Sequence, residues 1–155
     1  MRAVPVRPRA LWASALLLSS LLILALLPAR QALAVDLQDG EASFRYLMNV
    51  ERVEAKRKRL RMNEELVVIA RAQSTDMANA GSIFHNPELA ADLQGVSWSI
   101  AGENVGVGGT VESLHDAFMD SAPHRKNIMR KAFRKVGVGV VTTDGRIWVT
   151  VVFAG

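Results

Sequence analysis

Residues 136–153 read VGVGVVTTDGRIWVTVVF, and the predicted fold follows from this run. Valine and glycine alternate in its first half, which is the period of a β-strand, and Asp144-Gly145 is typical of a two-residue hairpin turn. Apolar side chains fall on both faces of the return strand, residues 147–153. A sheet with two apolar faces has to be covered on both sides, so the run predicts an antiparallel hairpin between helices. Trp148 in this hairpin and Trp98 upstream are predicted to lie in the core.

Four helices are predicted before the hairpin from apolar residues at helical spacing. They cover residues 41–60, 64–80, 111–120 and about 123–131. Their ends carry the expected signals, with N-caps at Asn63 and Thr110, a stop at Gly81 and proline in the first turn at Pro123. The rest is expected to be irregular, apart from a helical turn near 87–93 and one short strand near 96–100. This order predicts an α+β domain in which helices sandwich a small antiparallel sheet.

The first 34 residues have the composition of an export signal. Three arginines precede an uncharged, leucine-rich run over residues 10–27, and Ala32-Leu33-Ala34 has the small-x-small pattern of a cleavage site. We therefore predict a signal peptide over 1–34 and a secreted or extracytoplasmic domain at the cell envelope over 35–155, with no membrane span after cleavage. An uncleaved N-terminal anchor is the alternative, since the uncharged run approaches the roughly 20 residues that span a bilayer.

Composition excludes several classes of protein. The 155 residues contain no cysteine, which excludes disulfides, thiolate metal sites and cysteine nucleophiles. The formal charge of +4 comes from the leader, because the remaining residues balance 15 basic against 15 acidic side chains. Charge is nevertheless segregated, with +4 over residues 51–61, −8 over 62–124 and +6 over 125–155. The basic segments fit either solvated helix faces or patches that meet an anionic envelope. Without interleaved aromatic residues they do not favour nucleic-acid binding.

Three ionisable residues lie in separate segments rich in glycine, proline or asparagine. His85 follows the second helix in Phe84-His85-Asn86-Pro87, Glu103 lies in Gly102-Glu103-Asn104, and His124 follows Pro123 at a helix start. Two imidazoles and a carboxylate can bind a zinc-like ion with one position open. A lone histidine is more often structural, and the sequence lacks the His-Glu-x-x-His motif of zinc proteases. Spacing alone leaves both interpretations open.

Several motifs in a fixed order carry a resemblance to a known family. They are NVER at 49–52, Phe84-His85, GENV at 102–105 and VGVG at 136–139, and the most specific is AFMDSAPHRKNIM at 117–129. Together they resemble the CAP superfamily, which comprises cysteine-rich secretory proteins, antigen 5 and pathogenesis-related proteins. The chain is most similar to the short, cysteine-free bacterial members with an SCP-like domain.

The resemblance implies a three-layer α-β-α sandwich with a central cleft lined by two histidines and two acidic residues. His85, Glu103 and His124 match three of these four positions. The second carboxylate would fall at or beside Ser121, so it is missing here, and Asp120 is only its neighbour. The resemblance therefore implies a metal site formed by His85 and His124 and supported by Glu103, with Zn²⁺ or another divalent ion as the cofactor.

Other polar residues of the motifs receive structural interpretations. Ser121 is predicted to be an N-cap hydroxyl rather than a nucleophile. Asn104 and Asn127 are predicted to hold the cleft residues in place. His115 is expected at the margin of the buried face of its helix, outside the cleft.

Three classes of function remain open at this point. The favoured one is a binding module, not an enzyme, that recognises a small molecule, lipid, glycan or protein at the envelope. The alternative is a metal-dependent hydrolase or peptidase with His85 and His124 as ligands and Glu103 as candidate base. The third is a structural envelope protein without an active cleft. Serine at position 121 favours the first, because it removes one carboxylate of the set.

Overall fold

A four-stranded sheet forms the centre of the structure, a computed structural model that describes residues 39–155. Its strands are β1 (Arg61–Met62), β2 (Ala101–Gly108), β3 (Lys135–Thr143) and β4 (Arg146–Ala154). They lie in the order β1-β3-β4-β2 across the sheet. The predicted signal peptide or anchor over 1–34 lies outside the described residues.

The predicted hairpin is confirmed. β3 and β4 pair antiparallel, and Thr143 lies opposite Arg146 across the turn. Both turn residues have positive φ, 51° at Asp144 and 69° at Gly145. Positive φ at both central positions marks the two-residue turn whose twist matches that of the flanking strands. The hairpin therefore supplies the two central strands of the sheet.

Five helices occur in the described part of the chain: α1 (39–54), α2 (Glu64–Ala80), α3 (Leu89–Asp92), α4 (Val111–Asp120) and α5 (Ala122–Ile128). The predicted caps are present. Asn63 accepts a hydrogen bond from the Leu66 N–H, and Gly81 ends α2 at φ 62°. Thr110 likewise accepts from the Ser113 N–H at the start of α4.

Two of the predicted helices are too long. α1 ends at residue 54 instead of 60, because the chain turns at Lys56, whose φ is 55°. α5 ends at Ile128, before the predicted residue 131. In both cases the basic residues beyond the helix lie in connecting segments.

The helices cover both faces of the sheet, which confirms the three-layer α-β-α arrangement. On one face, Phe44 of α1 and Phe118 of α4 share a core with strand residues such as Val138. On the other face, Leu66 of α2 packs in a cluster with Val152. Each face of β4 is thus buried against a helical layer, as its two apolar faces require.

The α2 layer lies unusually close to β3. A Cβ atom built on Gly137 would overlap the backbone of Leu66, and one on Gly139 would overlap the backbone of Ala70. Valine alternates with glycine in β3 because one face meets side chains and the other meets a helix backbone. No helix within residues 39–155 has the length and apolar character needed to cross a bilayer.

The sheet differs from the predicted one in two respects. It is mixed instead of purely antiparallel, because β1 pairs in parallel with β3. The strand expected near 96–100 lies instead at Ala101–Gly108, within the region expected to be irregular. Its glycines are a packing feature, since a Cβ on Gly106 would lie 2.7 Å from the Phe118 ring.

The two tryptophans have different environments. Trp148 is buried in β4, as predicted, and packs against Met77. Trp98 is 40% exposed, so its predicted core position is wrong. Trp98 precedes β2 instead of lying in a strand, and its side chain therefore has no sheet face to pack under.

Candidate functional site

A buried carboxylate holds an exposed imidazole at the edge of the sheet. Glu103 lies in β2, which pairs with β4, and its side chain is 4% exposed. Its Oε1 atom lies 2.7 Å from His85 Nδ1 and accepts a second hydrogen bond from the Asn86 backbone N–H at 3.0 Å. The His85 side chain is 66% exposed. Because Nδ1 donates to the carboxylate, Nε2 is the ring nitrogen left for a ligand.

The loop that carries His85 is fixed to α2. Gln73 is buried, and its amide donates a 2.7 Å hydrogen bond to the Phe84 carbonyl oxygen. Asn86 Oδ1 accepts from the Glu88 N–H, which closes a local turn. The imidazole is therefore positioned from both sides, by the loop backbone and by Glu103.

His124 is the second imidazole of the site and lies in α5. Its ring stacks on Phe118 with 4.6 Å between the centroids and 28° between the planes. Its Nδ1 atom is buried and has no hydrogen-bond partner within residues 39–155. Burial lowers the pKa of His124, and the nearby charge of His85 lowers that pKa further.

Two asparagines tie the strand of Glu103 to the helix of His124. Asn104 donates to the His124 carbonyl oxygen at 3.0 Å. Asn127 donates to the Glu103 carbonyl oxygen at 3.1 Å and to Asn104 Oδ1 at 2.9 Å. Asn104 is fully buried, and these bonds hold the strand of Glu103 against the helix of His124. The role of both asparagines in positioning cleft residues stays a prediction.

Ser121 lies at the N-cap position of α5 but makes no side-chain capping hydrogen bond. Its predicted position at the start of the helix is right, but the predicted side-chain bond is absent; Pro123 removes one of the two N–H groups that such a cap could use. His115 is buried, not marginal, and its ring meets Phe44 edge-on at 5.8 Å. Among the three histidines, His115 belongs to the core.

The sequence predicts no separate role for Phe118 within the motif at 117–129. The structure makes it the stacking partner of His124 as well as a core residue. Its spacing of six residues from His124 did not reveal this, because the two lie on different helices. Gln73 was likewise placed only on a helix face, and no local signal indicated its bond to the His85 loop.

A cavity of about 420 Å³ lies beside the His85 loop, and its lining includes Gln73, Phe84 and Asn86. This volume is within the range of about 300–1,000 Å³ for small-molecule pockets. A second cavity, of about 330 Å³, lies away from the histidines, and Glu41 and Arg71 in its lining already pair with each other. The lining of the first cavity includes the neighbours of His85 in the chain, but neither cavity is lined by His85, Glu103 or His124.

The ligand set is incomplete for a resident catalytic zinc. Such an ion takes three protein ligands and leaves one position open. Within residues 39–155, no group of three or more His, Asp or Glu side chains has the arrangement of a metal site. Glu103 already accepts from His85 Nδ1, which is the bond by which a carboxylate orients a ligating histidine from behind. Glu103 is therefore placed as the carboxylate that orients His85.

Comparison with known proteins identifies the family of this sequence. Residues 45–153 match the sequence profile described as the Cysteine-rich secretory protein family, CAP. The chain belongs to the CAP family. The Uncharacterized protein YkwD of Bacillus subtilis strain 168 is 38% identical to this CAP chain over 109 residues. That match covers 66% of this chain and 42% of YkwD, so the chain spans about two fifths of the length of this relative.

Solved structures show the same CAP fold. An extracellular protein containing an SCP domain from Bacillus anthracis strain Ames matches with a TM-score of 0.69 and 24% identity, covering 76% of this chain and 41% of that one. A cysteine-rich secretory protein from Staphylococcus aureus Mu50 matches with a TM-score of 0.66 and 22% identity, covering 76% and 38%. At these identities the likeness establishes the fold of the CAP domain.

The lowered pKa of His124 predicts a pH dependence of stability. The pKa lies below the ordinary value of 6.5 only in the folded protein. At pH values between the lowered pKa and 6.5, the unfolded chain therefore binds more protons than the folded one. Stability is therefore fully present above pH 6.5 and is lost as pH falls through the lowered pKa. Thermal melts of wild type and His124→Gln at neutral and mildly acidic pH check this. We expect the variant to lose part of the acid destabilisation, and identical pH profiles would contradict the account.

Proposed function

We propose that the chain is an exported module that binds its ligand in the cleft of His85 and His124. The leader composition supports export, and the B. anthracis structural neighbour is described as extracellular. The observation that carries the proposal is the Glu103 bond to His85, which fixes one exposed imidazole beside a second. Two oriented imidazoles offer hydrogen bonds, or metal ligation, to a polar group of a small molecule, lipid, glycan or protein at the envelope.

The same two imidazoles would ligate Zn²⁺ or another divalent ion reversibly. His85 would bind through Nε2, since Glu103 occupies Nδ1, and His124 would supply the second nitrogen. With two protein ligands instead of three, most coordination positions stay open to water or to an oxygen of the ligand. The ion would supply positive charge for an anionic or carbonyl group. We therefore propose an exchangeable ion, not a permanently held one.

The alternative, a metal-dependent hydrolase with Glu103 as base, is less well supported by the geometry. A general base must reach the proton that it removes, directly or through one water. Glu103 is 4% exposed, Oε1 already accepts from His85 and Asn86, and Oε2 is buried without a hydrogen-bond partner within residues 39–155. We propose a positioning role for this carboxylate, since one oxygen orients His85 and the other is shielded from water.

A zinc titration separates the two functions. We expect Zn²⁺ to bind reversibly to the full chain, to be removed by dialysis, and to bind at least about tenfold more weakly to His85→Gln and His124→Gln. Glu103→Gln is expected to weaken binding by about ten- to a hundredfold, because His85 Nδ1 loses the carboxylate that orients the ring. Glu112→Gln, which changes an exposed carboxylate on α4, is the matched control.

The result that would contradict the proposed binding module is hydrolytic activity of the zinc-loaded chain. Stoichiometric zinc that survives dialysis, together with peptide or ester hydrolysis that Glu103→Gln abolishes, would contradict the binding module. That result would identify Glu103 as the base of a hydrolase.

A further inference from the structure

Two basic segments that are distant in the sequence meet at one pocket. The turn after α1 contributes Lys56, Arg57 and Lys58, and the segment before β3 contributes Lys131 and Arg134. These five cations line a pocket of about 170 Å³ that has no acidic residue in its lining. The pocket therefore concentrates positive charge on a domain whose net charge over residues 35–155 is zero.

Arg52 joins the two segments from beneath. It is fully buried, and its guanidinium donates to the carbonyl oxygen of Lys58 on one side. On the other side it donates to the carbonyl oxygens of Ile128, Arg130 and Phe133. Burial lowers the pKa of Arg52, and the charges of Arg134 and Arg57 lower that pKa further. The cations are thus held together against their mutual repulsion by a rigid backbone frame.

The pocket cations are not neutralised by neighbours. Within residues 39–155, the ion pairs are Glu41–Arg71, His85–Glu103 and His115–Asp116, and none involves the pocket. Arg57 Nε is buried without a hydrogen-bond partner among these residues. Arg134 Nη1 donates to the carbonyl oxygens of Lys131 and Phe133, but no pocket cation has a carboxylate partner among residues 39–155. Guanidinium and ammonium groups around a small concavity fit a phosphate group, which accepts several charge-assisted hydrogen bonds.

An exposed apolar strip runs along α1 towards the pocket. Tyr46 and Val53 are 68% and 42% exposed. They line a groove of about 230 Å³, whose other lining residues are Asn49, Val50, Glu54 and Arg59. Free phosphate would make no use of these apolar side chains, whereas the headgroup region of a membrane accepts aromatic and apolar residues beside basic ones.

We propose that the basic pocket binds the phosphate of an anionic phospholipid, with the Tyr46–Val53 strip of α1 against the headgroup layer. This site shares no residue with the His85–His124 cleft. It would hold the domain at a membrane surface while the cleft stays available to its own ligand. The five cations would recognise the phosphate group itself. The exposed apolar strip beside them favours a phosphate that belongs to a lipid over free phosphate.

Vesicle binding of the full chain tests the proposal. The readout is the excess affinity for phosphatidylglycerol–phosphatidylcholine vesicles over pure phosphatidylcholine vesicles, compared between variants that all carry the same arginine-containing leader. Lys58→Gln with Lys131→Gln is expected to reduce this excess affinity by about thirtyfold, from the usual worth of two surface cations at an anionic membrane. The charge-matched control, Lys135→Gln with Arg146→Gln, lies outside the pocket and is expected to lose much less.

Two results would overturn the proposal. Equal losses in the two double variants would show general charge attraction and no pocket. A second arm measures thermal melts with inorganic phosphate or chloride at matched ionic strength. Stabilisation by free phosphate that requires Lys58 and Lys131, without any preference for anionic vesicles, would assign the pocket to a soluble anion instead of a lipid. All four substituted side chains are exposed or half-exposed, so the variants are expected to fold.

Discussion

Arg52→Met is expected to lower the free energy of unfolding by about 4 kcal/mol. The guanidinium is fully buried and donates hydrogen bonds to the carbonyl oxygens of Lys58, Ile128, Arg130 and Phe133. Methionine would fill much of the volume but would leave these acceptors without their donor, at roughly 1–3 kcal/mol for each one that water does not reach. Urea unfolding followed by circular dichroism measures the loss.

Arg59→Met is the matched control for this prediction. Arg59 is exposed and lies in the same connecting segment, so its loss is expected to change stability by at most about 0.5 kcal/mol. If Arg52→Met lowers the free energy of unfolding no more than the control does, the Arg52 hydrogen bonds do not stabilise the contact between the segments that follow α1 and α5.

Gly137→Ala is expected to cost about 3 kcal/mol or more. The added methyl group would overlap the carbonyl group of Leu66 and the amide nitrogen of Val67. Both are backbone atoms of a helix, so no rotamer change relieves the overlap, and α2 would have to move away from the sheet. The midpoint and slope of urea unfolding would report this loss.

Gly109→Ala is the control for the glycine prediction. Its φ is ordinary, and nothing lies within 4 Å of the position that its Cβ would occupy. We expect this variant to stay within about 0.5 kcal/mol of wild type. Equal stability of the Gly137 and Gly109 variants would show that α2 does not need the glycine face of β3.

Local patterns predicted the parts of the fold that local chemistry determines. Asp144-Gly145 indicated the hairpin turn, and Asn63 and Thr110 indicated the helix starts. Each of these signals depends only on the residue's own backbone angles or on a hydrogen bond to a residue three positions away. β2 was missed because its glycines fit against Phe118 and Phe133, aromatic side chains that come later in the sequence. Glycine is weak in an isolated strand but necessary where an aromatic ring approaches the backbone.

The candidate site was only partly predictable for a similar reason. The resemblance selected His85, Glu103 and His124 by their motifs, but spacing could not show that Glu103 contacts His85 while His124 stacks on Phe118. Arg52 was recognised only as part of the NVER motif. Its structural role depends on carbonyl groups more than 70 positions away, which no periodicity reveals.

The central claim is that His85 and His124 form one binding site. The most direct test follows the imidazole NMR signals of all three histidines during the zinc titration, with buried His115 as the internal control. We predict that the His85 and His124 signals shift together at the same Zn²⁺ concentration, that His115 does not respond, and that a chelator reverses the change. Independent shifts of His85 and His124, or no shift of either, would contradict a shared site.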